Sequence, residues 1–124
     1  MTRLNGLPGL YGSASYNKYK NQKIEYHGET FDSKKEFEYY LLLKDREKRG
    51  EISELRRQVP LEIQPGFITP SGEKIRPITY LADFVFTDVK TGEVHYIDVK
   101  GFRTEIYKLK KKLLAFSGIY IEEV

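Results

Sequence analysis

Tyr96-Ile97-Asp98-Val99-Lys100 places an acid and an amine two residues apart. Side chains alternate faces along a strand, so Asp98 and Lys100 share one face while Ile97 and Val99 share the other. The run reads as a strand with an apolar back and a charged front. Upstream, Ile78 to Thr87 reads as a second strand, with Asp83 between Ala82 and Phe84. The segment joining them, Thr87-Asp88-Val89-Lys90-Thr91-Gly92-Glu93, is polar and holds a turn glycine, which predicts a hairpin. Pairing of the two strands brings Asp83 and Asp98 together beside Lys100. Two carboxylates and water suit one hard cation, magnesium or manganese.

Downstream, Thr104 is the natural N-cap of a helix that Gly118 ends. Ile106, Leu109, Leu113 and Phe116 form its apolar stripe. Lys108, Lys111 and Lys112 lie at helical spacing on the other side, with Arg103 and Lys110 near. Such a face is ordinarily just solvated, but only Glu105 offsets this one. Residues 119–124 read as a closing strand.

Upstream, Gln58-Val59-Pro60-Leu61-Glu62-Ile63 alternates as a strand, and Pro60 marks an edge or a bulge. Residues 51–57 read as a charged connector, and 64–77 as a long turn-rich connection. Ser33-Lys34-Lys35-Glu36 matches a capping box, so a helix is expected from Ser33 to about Arg49, with Gly50 as its stop. Phe37, Tyr40 and Leu41 form its apolar stripe. Glu36, at the edge of that face, has two readings: a capping carboxylate, worth ~1 kcal/mol, or a third acid aimed at the metal. Local sequence favours the cap. Before the helix, His27-Gly28 joins two short strands as a small hairpin. Residues 1–20 carry no sustained apolar period and read as a flexible arm, leaving 21–124 as a single domain.

The composition narrows the chemistry. With 124 residues one domain is expected. There is no cysteine, so neither a disulfide scaffold nor a thiolate metal site is available. The two histidines, His27 and His95, make histidine-rich zinc chemistry a poor fit. No apolar run reaches transmembrane length and no signal-like segment leads the chain, so no membrane partner is expected. A net charge of +3 is a mild basic bias, and the position of the bases matters more.

The predicted order is helix, strand, strand, strand, helix, strand, with Glu36 on the first helix, Asp83 on the second core strand, and Asp98-Val99-Lys100 on the third. This resembles the PD-(D/E)XK nuclease superfamily, and most of all its small phage-associated members, similar to Holliday junction resolvases and restriction-type endonucleases. Ala82 stands where the family's proline would be, which weakens the motif without removing a ligand. The resemblance implies an α/β fold with a restriction endonuclease-like core and a mixed sheet. It implies a metal-dependent DNA endonuclease with magnesium or manganese held by Asp83, Asp98 and Glu36, and with Lys100 at the attacking water and the developing phosphorane charge. The catalytic set is then Glu36, Asp83, Asp98 and Lys100, and the resemblance shifts the weight on Glu36 toward the metal.

Gln58 is expected to contact substrate or water, and Arg103, Lys108, Lys111 and Lys112 to contact backbone phosphates, which position DNA without reading its sequence. No added specificity domain is apparent, which favours branched DNA as substrate. A four-way junction has paired strands to cut, so a homodimer is expected. A cytoplasmic phage or prophage protein in a bacterial host is the expected setting. Three alternatives stay open: a nicking, repair or restriction-like nuclease without junction preference, a DNA-binding module without catalysis, and a structural phage protein with no salt-sensitive DNA binding.

Overall fold

The computed structural model of the protein describes residues 22–99 and 103–124. The chain divides into two compact units, Met1–Leu41 and Leu42–Val124. In the first, β1 (Ile24–Tyr26) and β2 (Glu29–Phe31) pair antiparallel, with Ile24 opposite Phe31. The two turn residues, His27 and Gly28, both take positive φ, at 51° and 80°. Two consecutive left-handed residues make the tight turn whose twist matches a hairpin. The helix α1 (Lys34–Lys48) follows. Its N-terminus is capped as its sequence predicts. The Ser33 hydroxyl accepts from Glu36 N at 3.1 Å, and Glu36 Oε1 accepts from Asp32 N at 3.2 Å. Phe31 is buried, with its ring 5.3 Å from Phe37 and 4.9 Å from Tyr40. Glu36 is buried, whereas Leu41, expected in the apolar stripe, is 40% exposed.

The α1 C-terminus lies in the second unit and closes with two backbone bonds, Gly50 N to Glu47 O and Glu51 N to Arg46 O. That double bond requires a left-handed residue past the cap, and Gly50 supplies it at φ 79°. The sheet of this unit holds β3 (Ile52–Gln64), β6 (Ile78–Asp88), β7 (Val94–Asp98) and β8 (Ile121–Glu123), in the order β3-β6-β7-β8. The pairs β3–β6 and β6–β7 are antiparallel, and β7–β8 is parallel. The helix α2 (Glu105–Phe116) makes the crossover between the parallel strands. The protein is therefore a mixed α/β fold, with two helices among the described residues.

Three expectations need correction. Residues 51–57 are not a connector: β3 begins at Ile52, whose side chain is buried. The register slips by one residue between Ser53 and Arg56, where Glu54 takes φ 55°. This bulge breaks the period-two pattern and hides the strand in the sequence. The stretch 64–77 holds its own small hairpin, β4 (Phe67–Ile68) with β5 (Lys74–Ile75). Finally, α2 does not bury Ile106, Leu109, Leu113 and Phe116, which are 40–94% exposed. It buries Tyr107 and Leu114, seven residues apart on another face. They pack with Tyr80, Ala82, Val85 and Ile121, and Val59, Leu61 and Ile63 of β3 add to this cluster. Burying a side chain such as Leu114 contributes about 1.5–3 kcal/mol. Pro60 sits on the edge strand, one of the places where a sheet tolerates proline.

Candidate active site

Strand β6 turns over part-way along. Tyr80 meets Tyr107 of α2, with ring centroids 5.8 Å apart. Phe86, six residues on and nominally on the same face, instead lies under Arg46 of α1 at 5.6 Å. The change of face falls between Ala82 and Val85, both of which belong to the α2 cluster although they are three apart. Asp83 sits in that interval. Opposite it on β3, Gln58 takes φ 51°, a conformation that costs a non-glycine residue about 1–2 kcal/mol. The strain and the kink thus coincide at Asp83.

The antiparallel ladder of β6 and β7 has Phe84 opposite Ile97, so one more step sets Asp83 opposite Asp98. There the Asp83 side chain takes over from the backbone: Oδ2 accepts from Val99 N at 2.8 Å. Its Oδ1 receives Gln58 Nε2 at 3.4 Å. Asp98 is 7% exposed, and its Oδ1 accepts the Tyr80 hydroxyl at 2.5 Å. Burial pushes the Tyr80 phenol far above its ordinary pKa, and the hydrogen bond to Asp98 adds to this. Tyr80 is therefore a fixed donor to Asp98.

A second carboxylate site lies one strand over. Glu123 is the register partner of Asp98 on the parallel pair β7–β8. It accepts from the Tyr107 hydroxyl at 2.6 Å, from Lys111 Nζ at 3.1 Å, and from Arg103 Nη2. The bond from Tyr107, with help from Lys111, holds the Glu123 carboxyl below its usual pKa. Tyr107 is raised, first by burial and then by its bond to Glu123. A depressed carboxyl contributes stability that is present above the unfolded value, 4.5, and is lost as pH falls through the lower folded value. Urea midpoints from pH 7 to 3 are expected to drop more steeply for the wild type than for Glu123→Gln. Parallel curves would show that Glu123 adds no such linkage.

The structure thus brings Gln58, Asp83 and Asp98 together. Lys100 lies outside the described residues, as does the predicted arm, 1–20. Glu36 caps its own helix, as the more ordinary of its two readings required. The four predicted phosphate contacts have different partners. Arg103 and Lys111 converge on Glu123, Lys108 pairs with Glu105 at 3.1 Å, and Lys112 is exposed. Sequence reading missed Tyr80, Tyr107 and Glu123. A signal for Glu123 existed: it shares strand parity with the buried Ile121, so an acid occupies the core side of the closing strand.

Residues 16–122 match the model of a family described as "Protein of unknown function (DUF1064)". The chain belongs to the DUF1064 family. The DUF1064 match takes in Glu36, Gln58, Asp83 and Asp98 and stops one residue before Glu123. No curated protein and no solved structure matches the chain significantly. Among the described residues, no group of three or more His, Asp or Glu is set to hold a metal ion. No helix among them is long and apolar enough to cross a membrane.

Proposed function

We propose that this protein is a divalent-metal-dependent DNA endonuclease with a restriction endonuclease-like core, and that it hydrolyses phosphodiester bonds in branched DNA as a Holliday junction resolvase does. The observation that carries this reading is the meeting of Asp83 and Asp98 at the kinked end of the β6–β7 ladder. The element order α1, β3, β6, β7, α2, β8 supports it, with the β4–β5 hairpin as an insertion.

The donor set fits a hard cation. Both groups are carboxylates, and an ionised carboxylate offers about four lone-pair sites. Two protein carboxylates suit magnesium or manganese, which keep several waters. When bound, the ion supplies an acidified water and offsets phosphate charge.

The chain's own residues do the remaining work. Gln58 and Val99 N orient Asp83, and the Tyr80 hydroxyl orients Asp98. Lys100 is assigned the charge that builds on the phosphate. Gln58 also faces substrate or water. Arg103, Lys108, Lys111 and Lys112 are assigned to the DNA backbone. Two coordinated cuts in a junction call for a homodimer, acting in the cytoplasm of a phage's bacterial host.

The test is incubation of the full chain with labelled four-way junction, linear duplex and single strand, with magnesium or manganese. Preferential cutting of the junction is expected. Equal cutting of all three substrates would leave a nicking, repair or restriction-like nuclease. A second reading, a DNA-binding module without catalysis, draws on the low exposure of Asp98, 7%. Binding with no cleavage under either metal would establish it.

A further inference from the structure

Arg103 and Lys111 both donate to Glu123, yet their side chains stay 53% and 38% exposed, while that of Glu123 is only 14% exposed. The carboxylate is the inner member of the cluster and the cations are the outer ones. A guanidinium has five N–H donors and an ammonium three, so one acceptor each leaves most of them open to a further anion. Two cations against one carboxylate leave a surplus positive charge. Of the neighbouring acids, Glu122 is engaged by His95 at 2.5 Å and Glu105 by Lys108, while Asp98, one strand over, is assigned to the cation. Tyr107 fixes the second side of the pair by bonding the same Glu123 oxygen that Lys111 uses, Oε2. The backbone ties this point to the metal-site strand, because Val124 N donates to Asp98 O at 3.1 Å.

We propose that Arg103 and Lys111, held in place by Glu123 and Tyr107 one strand over from Asp98, bind a single backbone phosphate of the nucleic-acid substrate beside the one that is cut. A diester phosphate carries one negative charge and exposed oxygens, which match the one surplus charge and the open donors of the pair. Arg103 and Lys111 touch the ligand, whereas Glu123 and Tyr107 are positioning residues. The inference rests on the nuclease reading for its substrate and extends it to one defined phosphate.

The experiment measures binding of the full chain to fluorescent four-way junction and duplex by anisotropy, with calcium as the cation. A single neutral methylphosphonate linkage is walked along the strand. At one position the wild type is expected to lose affinity roughly tenfold, as when one charge-assisted contact is removed. Arg103→Ala and Lys111→Ala should lose a similar factor on native DNA and nothing further at that position. Each should also lower the log–log salt slope by about one unit. Glu123→Gln should weaken native binding severalfold and shrink the methylphosphonate effect, and Glu123→Asp should recover part of the loss. A merely structural Glu123 would leave the methylphosphonate coupling intact whatever its effect on the melting temperature. Losses that simply add at every position, unchanged salt slopes, or no DNA binding at all would overturn the proposal. Should Glu123→Gln fail to fold, the half-exposed Arg103 and Lys111 variants still decide it. Coupling without cleavage under any metal would retain this subsite and refute the nuclease reading. Cleavage without coupling would do the reverse.

Discussion

The Asp98→Asn variant is expected to keep its fold and to lose DNA cleavage by at least ~10²-fold, the scale for removing a group that stabilises charge in the transition state. Asparagine has nearly the shape of aspartate, and its carbonyl oxygen still accepts the Tyr80 hydroxyl that Asp98 now takes at 2.5 Å. What disappears is the negative charge needed to hold a hard cation. Asp83→Asn should behave alike, because its carbonyl oxygen can keep the bond from Val99 N. Single-turnover cleavage of labelled junction, paired with a thermal melt, measures both effects. Cleavage within about threefold of wild type would remove Asp98 from the chemistry.

The largest expected effect on stability belongs to Tyr80→Phe. The ring keeps its place against Tyr107 and the α2 cluster. Only the hydroxyl goes, and with it a donor to Asp98 Oδ1 at a carboxylate that is 7% exposed. Hydrogen bonds to charged groups contribute ~1.5–3 kcal/mol, and a buried acceptor that loses its donor also keeps its desolvation penalty. Urea unfolding at pH 7 should show a loss in that range. The same change at Tyr120, which is 69% exposed, should leave stability within about 0.5 kcal/mol. Equal behaviour of the two variants would mean that the Tyr80–Asp98 bond contributes nothing net.

Signals that act locally were legible in the chain. Ser33 and Glu36 announce the start of α1, Gly50 its end, and Thr104 and Gly118 bracket α2. The β6–β7 hairpin follows from two alternating runs and the turn at Asp88–Gly92, where Gly92 takes φ 79°. Asp83 and Asp98 were found because that hairpin fixes their register.

Signals that depend on packing were not legible. The bulge at Glu54 puts β3 out of period before any alternation can be counted. On α2 the aliphatic stripe is more apolar than the buried one, yet the helix turns Tyr107 and Leu114 inward. Tyr107 has a ring that packs and a hydroxyl that reaches Glu123, so a count of apolar residues undervalues it. The same rotation moves Lys111 from a supposed solvent face to the side of Glu123. Gln58 was legible as a strand residue, and its contact with substrate or water came only from the family resemblance; its positive φ needs the backbone.

The central claim is that Asp83 and Asp98 jointly hold one divalent cation. Calorimetric titration of manganese into the full chain tests it without any DNA. One site is expected in the wild type and none in either Asp83→Asn or Asp98→Asn. Unchanged manganese binding by both variants would contradict the account.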